Sequence, residues 1–267
     1  LSFRDEGELI QAAVAFTTQP IPKGNRVGII TNTGGPAVIA TDVMVGAGLT
    51  LPPLSEKTRT VLTETLFPEA SVNNPVDVLA TGPAQHYRAC LDAMMADENF
   101  DCVFVNFVTP FFVDNESTAK EIVAVSKQQK KPIVCNLMTD RRQWTEVVKI
   151  LQDGGVPCFA LPGEAARAMT ALVDYHNIRA RHIGEVRSFS DTEAEGARQV
   201  IAAAKEAGKS SLSAAEVYNI LTAYKIPTAG WRVAANAEEA VKAAAEIGYP
   251  VVVKADAASI LHKSDMG

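Results

Sequence analysis

The sequence predicts an α/β protein with a doubly wound, parallel, five-stranded sheet, followed by a second, smaller α+β unit. Five short apolar runs alternate with stretches of helical period, which is the pattern of repeated βα units. Hydrophobic residues make up 47% of the chain while aromatic residues make up only 6%, a composition typical of buried parallel strands packed closely against helices. Near residue 182 the alternation stops and a charged segment begins, so we expect a second unit after it.

Each predicted strand is a short apolar run followed by a helical stretch. The predicted strands are Arg26–Thr31, Leu49–Leu51, Cys102–Val108, Pro132–Leu137 and Pro157–Leu161. The predicted helices are Pro36–Ala47, Ser55–Leu66, Pro83–Ala96, Ser117–Gln129 and Arg141–Gln152. Five such βα units predict a flavodoxin-like domain over residues 24–183, preceded by an N-terminal helix and linker at residues 1–23.

The second unit is predicted from helix-capping signals and a final apolar run. Residues 184–194 are charged and lack hydrophobic periodicity, which predicts a linker. Beyond it, Ser213 and Glu216 have the spacing of a capping box. The run Pro250–Lys254 then predicts a buried strand. Helices and strands in this order are typical of the beginning of an ATP-grasp fold, so residues 195–267 are predicted to be its N-terminal, truncated part.

Lys254 is the predicted nucleotide-binding residue. It stands inside the apolar run that begins at Pro250. Burying an unpaired ammonium group costs on the order of several kcal/mol, so a buried lysine needs a counter-anion. We expect the phosphates of a nucleotide to supply it.

The turn Thr31–Pro36 is the first candidate binding site. It follows the first strand and opens a helix, so free backbone N–H groups should point at a ligand above the carboxyl edge of the sheet. Gly34 and Gly35 allow the ligand to approach the backbone closely, and Pro36 suits a first helical turn because it has no N–H group. The pattern indicates an anion-binding turn, and a tight βα turn that binds nothing is the alternative.

Further polar residues should line the same edge, because each follows a predicted strand. Asn32 lies in the turn itself, and the segment Asn73–Asp77 carries two amides and a carboxylate. Thr109 and Thr139 each follow a strand on the same rim. Such residues also commonly cap turns without binding anything, so the local pattern leaves both interpretations open.

His262 is the candidate catalytic residue. Ser259, Lys263 and Asp265 surround it in a polar segment. Imidazole is a good phosphoryl acceptor, and a nearby carboxylate such as Asp265 would fix its tautomer and raise its nucleophilicity. An ordinary histidine in a polar loop is the alternative.

Composition excludes several classes of function. The formal net charge is −6 and the sequence has no basic run, so nucleic acid is not expected as a partner. No signal peptide or long apolar run is present, so secretion and membrane spanning are not expected. The four cysteines have no paired spacing, which predicts no metal site and a reducing, cytoplasmic location.

Four segments in a fixed order resemble one known family. They are Val27–Asp42, Leu51–Ser55, Asn73–Asp77 and Gly248–Gly267. Together they closely resemble the NDP-forming acyl-CoA synthetases, the superfamily of succinyl-CoA synthetase, over nearly the whole chain. The resemblance implies that an acid, CoA and ATP give acyl-CoA, ADP and phosphate through an acyl phosphate and a phosphohistidine on a mobile segment.

The resemblance also implies roles for the residues at the carboxyl edge. Gly34 and Gly35 would form the helix N-terminus that faces the phosphohistidine or acyl phosphate. Asn32, Asn74 and Asp77 would complete this phosphate site.

In the second unit the resemblance implies two further roles. Lys254 would contact the nucleotide phosphates. His262 matches a family position implicated as a second phosphohistidine in ADP-forming members.

By the same resemblance, the chain holds a second flavodoxin-like ligase domain and the start of an ATP-grasp domain. The CoA-binding domain, the main phosphohistidine and the metal-binding carboxylates would lie outside it. ATP or ADP, Mg²⁺ and CoA are implied for the full-length protein, whereas the chain alone, which starts at Leu1 and stops within a motif, is expected to retain none of them and to be inactive. Bacterial protein lysine acetyltransferases contain the same domains as a regulatory body, so that function is the alternative.

Overall fold

The computed structural model describes residues 1–256 and divides into two compact units. Unit 1 comprises residues 1–182, and unit 2 begins at residue 183. Each unit is built from its own helices.

Unit 1 contains seven helices and six strands. The helices are α1 (Glu6–Thr18), α2 (Gly34–Gly46), α3 (Glu56–Thr65), α4 (Ala84–Ala96), α5 (Asn115–Ser126), α6 (Thr145–Asp153) and α7 (Pro162–Ala180). The strands are β1 (Val27–Thr31), β2 (Ser71–Val72), β3 (Val76–Asp77), β4 (Cys102–Val108), β5 (Ile133–Met138) and β6 (Cys158–Phe159).

All strands of unit 1 belong to one sheet in the order β2-β3-β1-β4-β5-β6. Only the β2–β3 pair is antiparallel, and the other neighbours run parallel. Because both faces of the sheet are covered, β1 is buried over its whole length. The predicted α/β class with a doubly wound sheet is confirmed.

The two faces of the sheet carry separate hydrophobic cores. One core lies under α3, α4, α5 and α6 and includes Leu91, Phe107 and Ile122. The other lies under α1, α2 and α7 and includes Ile29 and Met169. Consecutive strand residues point to opposite faces, so continuous apolar runs such as β4 serve both cores at once.

The strand predicted at Leu49–Leu51 is wrong, and the sheet has six strands instead of five. Only Thr50 pairs with the sheet, through an isolated bridge to Arg26. Pro52 and Pro53 follow, and a proline cannot donate to a strand ladder. The second half of β1 pairs with β3 instead, a strand that lies inside the segment predicted to be only a polar turn.

The N-terminal helix α1 belongs to unit 1. The Phe16 ring of α1 packs edge-on against Tyr175 of α7 with ring centroids 5.3 Å apart. Glu8 lies 3.5 Å from Arg167 of the same helix. The partner helix α7, 19 residues long, was not assigned from the sequence.

Unit 2 contains α8 (Ala194–Glu206), α9 (Ala214–Ala223) and α10 (Ala237–Ile247) within the described residues. The predicted capping box of α9 is confirmed. The Ser213 hydroxyl accepts a hydrogen bond from the Glu216 N–H at 3.2 Å, and Glu216 accepts one from the Ser213 N–H at 2.7 Å.

The prediction of a buried strand at Pro250–Lys254 is wrong, because residues 251–254 form no strand. Val252 and Val253 are 81% and 80% exposed, and Lys254 is exposed as well. A strand becomes buried only when neighbouring strands pair with it, and the described part of unit 2 holds no other strand.

Trypsin should cleave the segment between the two units faster than the helices of unit 1. Residues 181–191 are all exposed and contain Arg181 and Arg187, and exposed, irregular segments are the usual sites of cleavage. Lys120 is a matched control, since its side chain is 61% exposed on helix α5. We expect cleavage at Arg187 to be at least about tenfold faster than at Lys120. Mass spectrometry of the fragments over time measures the two rates. Equal rates at the two sites would contradict this division of the chain.

Candidate functional site

The strands β1, β3, β4 and β5 end at one edge of the sheet, where α2, α4 and α5 begin. The helix after β1 covers one face, and the helix after β3 covers the other. Strand β3 is added to the sheet on one side of β1, whereas β4, β5 and β6 are added on the other side. The order of strands therefore reverses between β1 and β4. In open α/β sheets, ligands bind in the crevice at such a switch point, outside the carboxyl ends of the strands.

The turn between β1 and α2 is held by the hydroxyl of Thr31. This hydroxyl accepts a hydrogen bond from the N–H of Thr33 at 3.0 Å and donates one to the Thr33 carbonyl oxygen at 2.6 Å. Thr33 is the N-cap of α2 in an extended conformation, and its side chain makes no capping hydrogen bond. The first N–H groups of α2 are therefore left without a side-chain acceptor.

Gly34 and Gly35, whose N–H groups these are, are both exposed. No acceptor among residues 1–256 takes either of them. A Cβ atom added at either glycine would meet nothing within 4 Å, so the packing of unit 1 does not itself require glycine here. The first turn of α2 also contains no acidic residue, so the positive end of this 13-residue helix is not compensated by a side chain. The geometry suits an oxyanion.

The side chain of Asn32 is engaged within the sheet, and its role as a phosphate-binding residue stays a prediction. It is 5% exposed, and its carboxamide pairs with the backbone of Val108 in β4. The Asn32 Oδ1 accepts from the Val108 N–H at 3.0 Å, and Nδ2 donates to the Val108 carbonyl at 3.0 Å. The side chain therefore joins the ends of β1 and β4 at the switch point.

The side chain of Asn74 is likewise engaged by backbone groups, and its role as a ligand stays a prediction. Its Oδ1 accepts from the N–H of Ile29 at 2.9 Å. Its Nδ2 donates to the carbonyl oxygens of Val27 and Pro52, both at 2.9 Å. The amide fills the gap beside β1 between the Thr50 bridge and β3, where it replaces the backbone of a missing strand residue.

Asp77 lies at the rim opposite Thr31 in the β1–β3 register. Its Oδ1 accepts from the N–H of Leu79 at 2.9 Å, which shapes the loop toward α4. A carboxylate repels an oxyanion, so this geometry favours a role in the turn over direct phosphate binding.

The structure adds residues that sequence reasoning did not select. Asn106 is fully buried in β4, and its Nδ2 donates to the Thr31 hydroxyl at 2.8 Å and to the Thr33 carbonyl at 3.3 Å. An asparagine inside the apolar run of β4 was a signal for such a role.

Below the rim, burial raises the pKa of Tyr87 well above its ordinary value, so its hydroxyl stays protonated. The hydroxyls of Thr109 and Thr139 hydrogen-bond to each other at the rim, as expected for strand ends on one edge.

Unit 2 carries a second group of candidate residues. Lys254 and Arg232 both line a depression of about 360 Å³ along α10, together with its small alanine side chains. Arg232 also lies 3.5 Å from Glu246. His262 lies outside the described residues. Two cationic side chains therefore line the depression, and one of them, Arg232, is already paired with Glu246.

Residues 1–256 contain no group of three or more histidine, cysteine, aspartate or glutamate side chains placed to hold a metal ion. In the same part of the chain, no helix combines the length and the apolar character needed to cross a membrane.

The sequence profiles of two families match the chain. The ligase-CoA domain matches residues 27–184 and the ATP-grasp domain matches residues 203–267. The chain is 32% identical over 97% of its length to the ADP-forming 4-hydroxybutyrate–CoA ligase of Nitrosopumilus maritimus. It is 33% identical over 92% of its length to the ADP-forming acetate–CoA ligase I of Archaeoglobus fulgidus. The chain spans 37% and 35% of the length of these two relatives.

A solved structure has the same fold over about two thirds of this chain. It is a dinucleotide-forming acetyl-coenzyme A synthetase 1 from Ca. Korarchaeum cryptofilum, in complex with phosphate and ADP. The TM-score is 0.61 at 26% identity, and the match covers 67% of this chain and 39% of that one.

Proposed function

The chain belongs to the ligase-CoA domain family, and we propose that it is part of an ADP-forming acid–CoA ligase. In this reaction a carboxylic acid, CoA and ATP give acyl-CoA, ADP and phosphate. The ADP-forming ligases to which it is similar over nearly its whole length support the proposal. The comparisons offer no support for the regulatory body of a lysine acetyltransferase. We propose a cytoplasmic location, because the four cysteines are all free and buried, as expected in a reducing compartment.

The N-terminus of α2 is proposed to bind the phosphoryl group while it is transferred. The observation that carries this proposal is the pair of unpaired N–H groups on Gly34 and Gly35, at the positive end of a helix with no acid in its first turn. Fixed donors of this kind stabilise charge on phosphoryl oxygens without having to reorganise during the reaction. Asn32, Asn74 and Asp77 serve this site indirectly, because they fix the strand ends and the loops around it.

Nucleotide binding is proposed for unit 2. Lys254 and Arg232 line the same depression, and two cations fit the charge of ATP or ADP phosphates. No described residue is assigned to Mg²⁺ or to CoA. Mg²⁺ would enter the site bound to the nucleotide. The CoA-binding domain and the main phosphohistidine are proposed to lie in other parts of the full-length protein.

Replacing Lys254 and His262 by Ala in the full-length protein should give two separable defects. Lys254→Ala should raise the KM for ATP about tenfold or more, because one charge-assisted contact to phosphate is lost. His262→Ala should abolish transfer of labelled phosphate from ATP to the protein while ATP binding is kept. Rates of acyl-CoA formation with acetate and 4-hydroxybutyrate provide the assay for the proposed reaction itself.

Lys242→Ala is the control, since Lys242 is exposed on helix α10, which borders the depression, but does not itself line it. An unchanged KM in the Lys254 variant would remove this lysine from the nucleotide site. Normal phosphate labelling of the His262 variant would make it an ordinary loop histidine. A wild-type protein that forms no acyl-CoA from any acid, CoA and ATP would overturn the ligase proposal.

A further inference from the structure

Two buried asparagines lie side by side in the sheet beneath the α2 N-terminus. Asn106 of β4 and Asn136 of β5 are partners in the parallel register, and both are 0% exposed. They point to the same face as Phe104 and Val134, two residues earlier on each strand, which belong to the core under α2 and α7. A pair of carboxamides inside an apolar core needs an explanation.

The amide nitrogens of the two asparagines point away from each other. Asn106 Nδ2 donates toward β1, to Thr31 and Thr33, whereas Asn136 Nδ2 donates toward β6, to the carbonyl of Phe159 at 3.1 Å. In the order β1-β4-β5-β6, the two Oδ1 atoms therefore face the space between β4 and β5. Neither oxygen has a hydrogen-bond partner among residues 1–256.

This orientation of the amides is fixed by their partners. The Phe159 carbonyl is an acceptor, so a flipped Asn136 would set two acceptors against each other. The Thr33 carbonyl imposes the same condition on Asn106. Both orphan oxygens consequently need a donor from elsewhere.

We propose that Asn106 and Asn136 share one buried water molecule and act as positioning residues for the phosphate-binding turn. The backbones of neighbouring strands lie about 4.8 Å apart, and two acceptors that share one water through ordinary hydrogen bonds lie roughly 4.5 Å apart, so one water can bridge side chains paired across these strands. Water has two protons, one for each oxygen, and such molecules typically satisfy buried polar groups in this way.

The shared water completes a polar chain across four strands. It runs from the Phe159 carbonyl through Asn136, the water and Asn106 to the carbonyl of Thr33. Thr33 precedes Gly34, so the chain fixes the peptide that orients the two ligand-facing N–H groups. The positioning role rests on the proposed function. The presence of the shared water does not depend on that function.

The water can be tested directly on the wild-type chain by NMR. A long-lived internal water should give nuclear Overhauser contacts to the side-chain NH₂ protons of both Asn106 and Asn136. Contacts to neither side chain, or to only one, would overturn the shared water.

The positioning role is tested by titrating Asn136→Leu with inorganic phosphate while the amide signals of Gly34 and Gly35 are followed. We expect the phosphate dissociation constant to rise about threefold or more, the range produced by losing one net hydrogen bond. Gln19→Leu is the control, because it removes a buried carboxamide that binds the opposite end of β5, at Ile133. Unchanged affinity in Asn136→Leu, or an equal loss in Gln19→Leu, would overturn the positioning role. If phosphate does not shift the Gly34 and Gly35 amide signals of the wild-type chain, that result would instead contradict the proposed function. The positioning role of the two asparagines would fall with it.

Discussion

Replacing Gly35 by Asp should abolish phosphate binding at the N-terminus of α2 while the protein remains folded. The new side chain has room, since a Cβ at this position meets nothing within 4 Å. A carboxylate in the first turn stabilises a helix by about 0.3–1 kcal/mol, so unit 1 should become slightly more stable. The same charge repels an oxyanion at the neighbouring N–H groups, and we expect the phosphate dissociation constant to rise at least about tenfold.

The control for this variant is Gly196→Asp in the first turn of α8. Gly196 also has open space around its Cβ position, so the substitution adds the same charge at a similar helix position in unit 2. It should leave phosphate binding unchanged. The site would be wrong if Gly35→Asp bound phosphate like the wild type, or if it lost affinity only because it unfolded in a thermal melt.

Replacing Asn74 by Leu should destabilise unit 1 by about 2 kcal/mol. The substitution removes three hydrogen bonds and leaves the Ile29 N–H and the carbonyls of Val27 and Pro52 without their partner. The free energy of unfolding from urea titrations measures the loss. The neighbouring Asn73 is the control, since it is exposed and its side chain forms hydrogen bonds to Arg59 and Ser71 at 3.3 and 3.4 Å.

Asn73→Ala should change the free energy of unfolding by less than about 0.5 kcal/mol. Equal stabilities of the Asn74 and Asn73 variants would contradict the role of Asn74 as a substitute for strand backbone. If Asn74→Leu kept its stability but lost phosphate affinity, Asn74 would instead be a ligand, as the sequence alone suggested.

Long apolar runs made the centre of the sheet predictable. The runs around β1, β4 and β5 are buried on both faces, and their hydrophobic character alone identifies them as parallel strands. Strand β3 has only two residues, too few to show any periodicity. Its place beside β1 depends on the side chain of Asn74, a contact across 45 positions in the sequence that no local pattern reveals.

The candidate site was predictable in position but not in all its residues. Gly34 and Gly35 follow the first strand, and the switch-point rule places such a turn at the carboxyl edge. The hydrogen bonds of Asn32 and Asn74 to strand backbone could not be predicted, because a carboxamide offers the same donors and acceptors to a backbone as to a ligand. Lys254 was predicted to bind a nucleotide because it was expected in a buried strand, but it is exposed in the structure. The proposal of nucleotide binding is therefore supported by the depression that Lys254 lines together with Arg232.

A phosphate soak of crystals of this chain is the most direct test of the account. The central claim is that the N–H groups of Gly34 and Gly35 form an oxyanion site at the end of α2. We predict a tetrahedral anion with oxygens about 2.9 Å from both backbone nitrogens, and no such anion in crystals of Gly35→Asp soaked in the same way. Wild-type crystals in which the two N–H groups bind only water, or donate to another part of the protein, would contradict it.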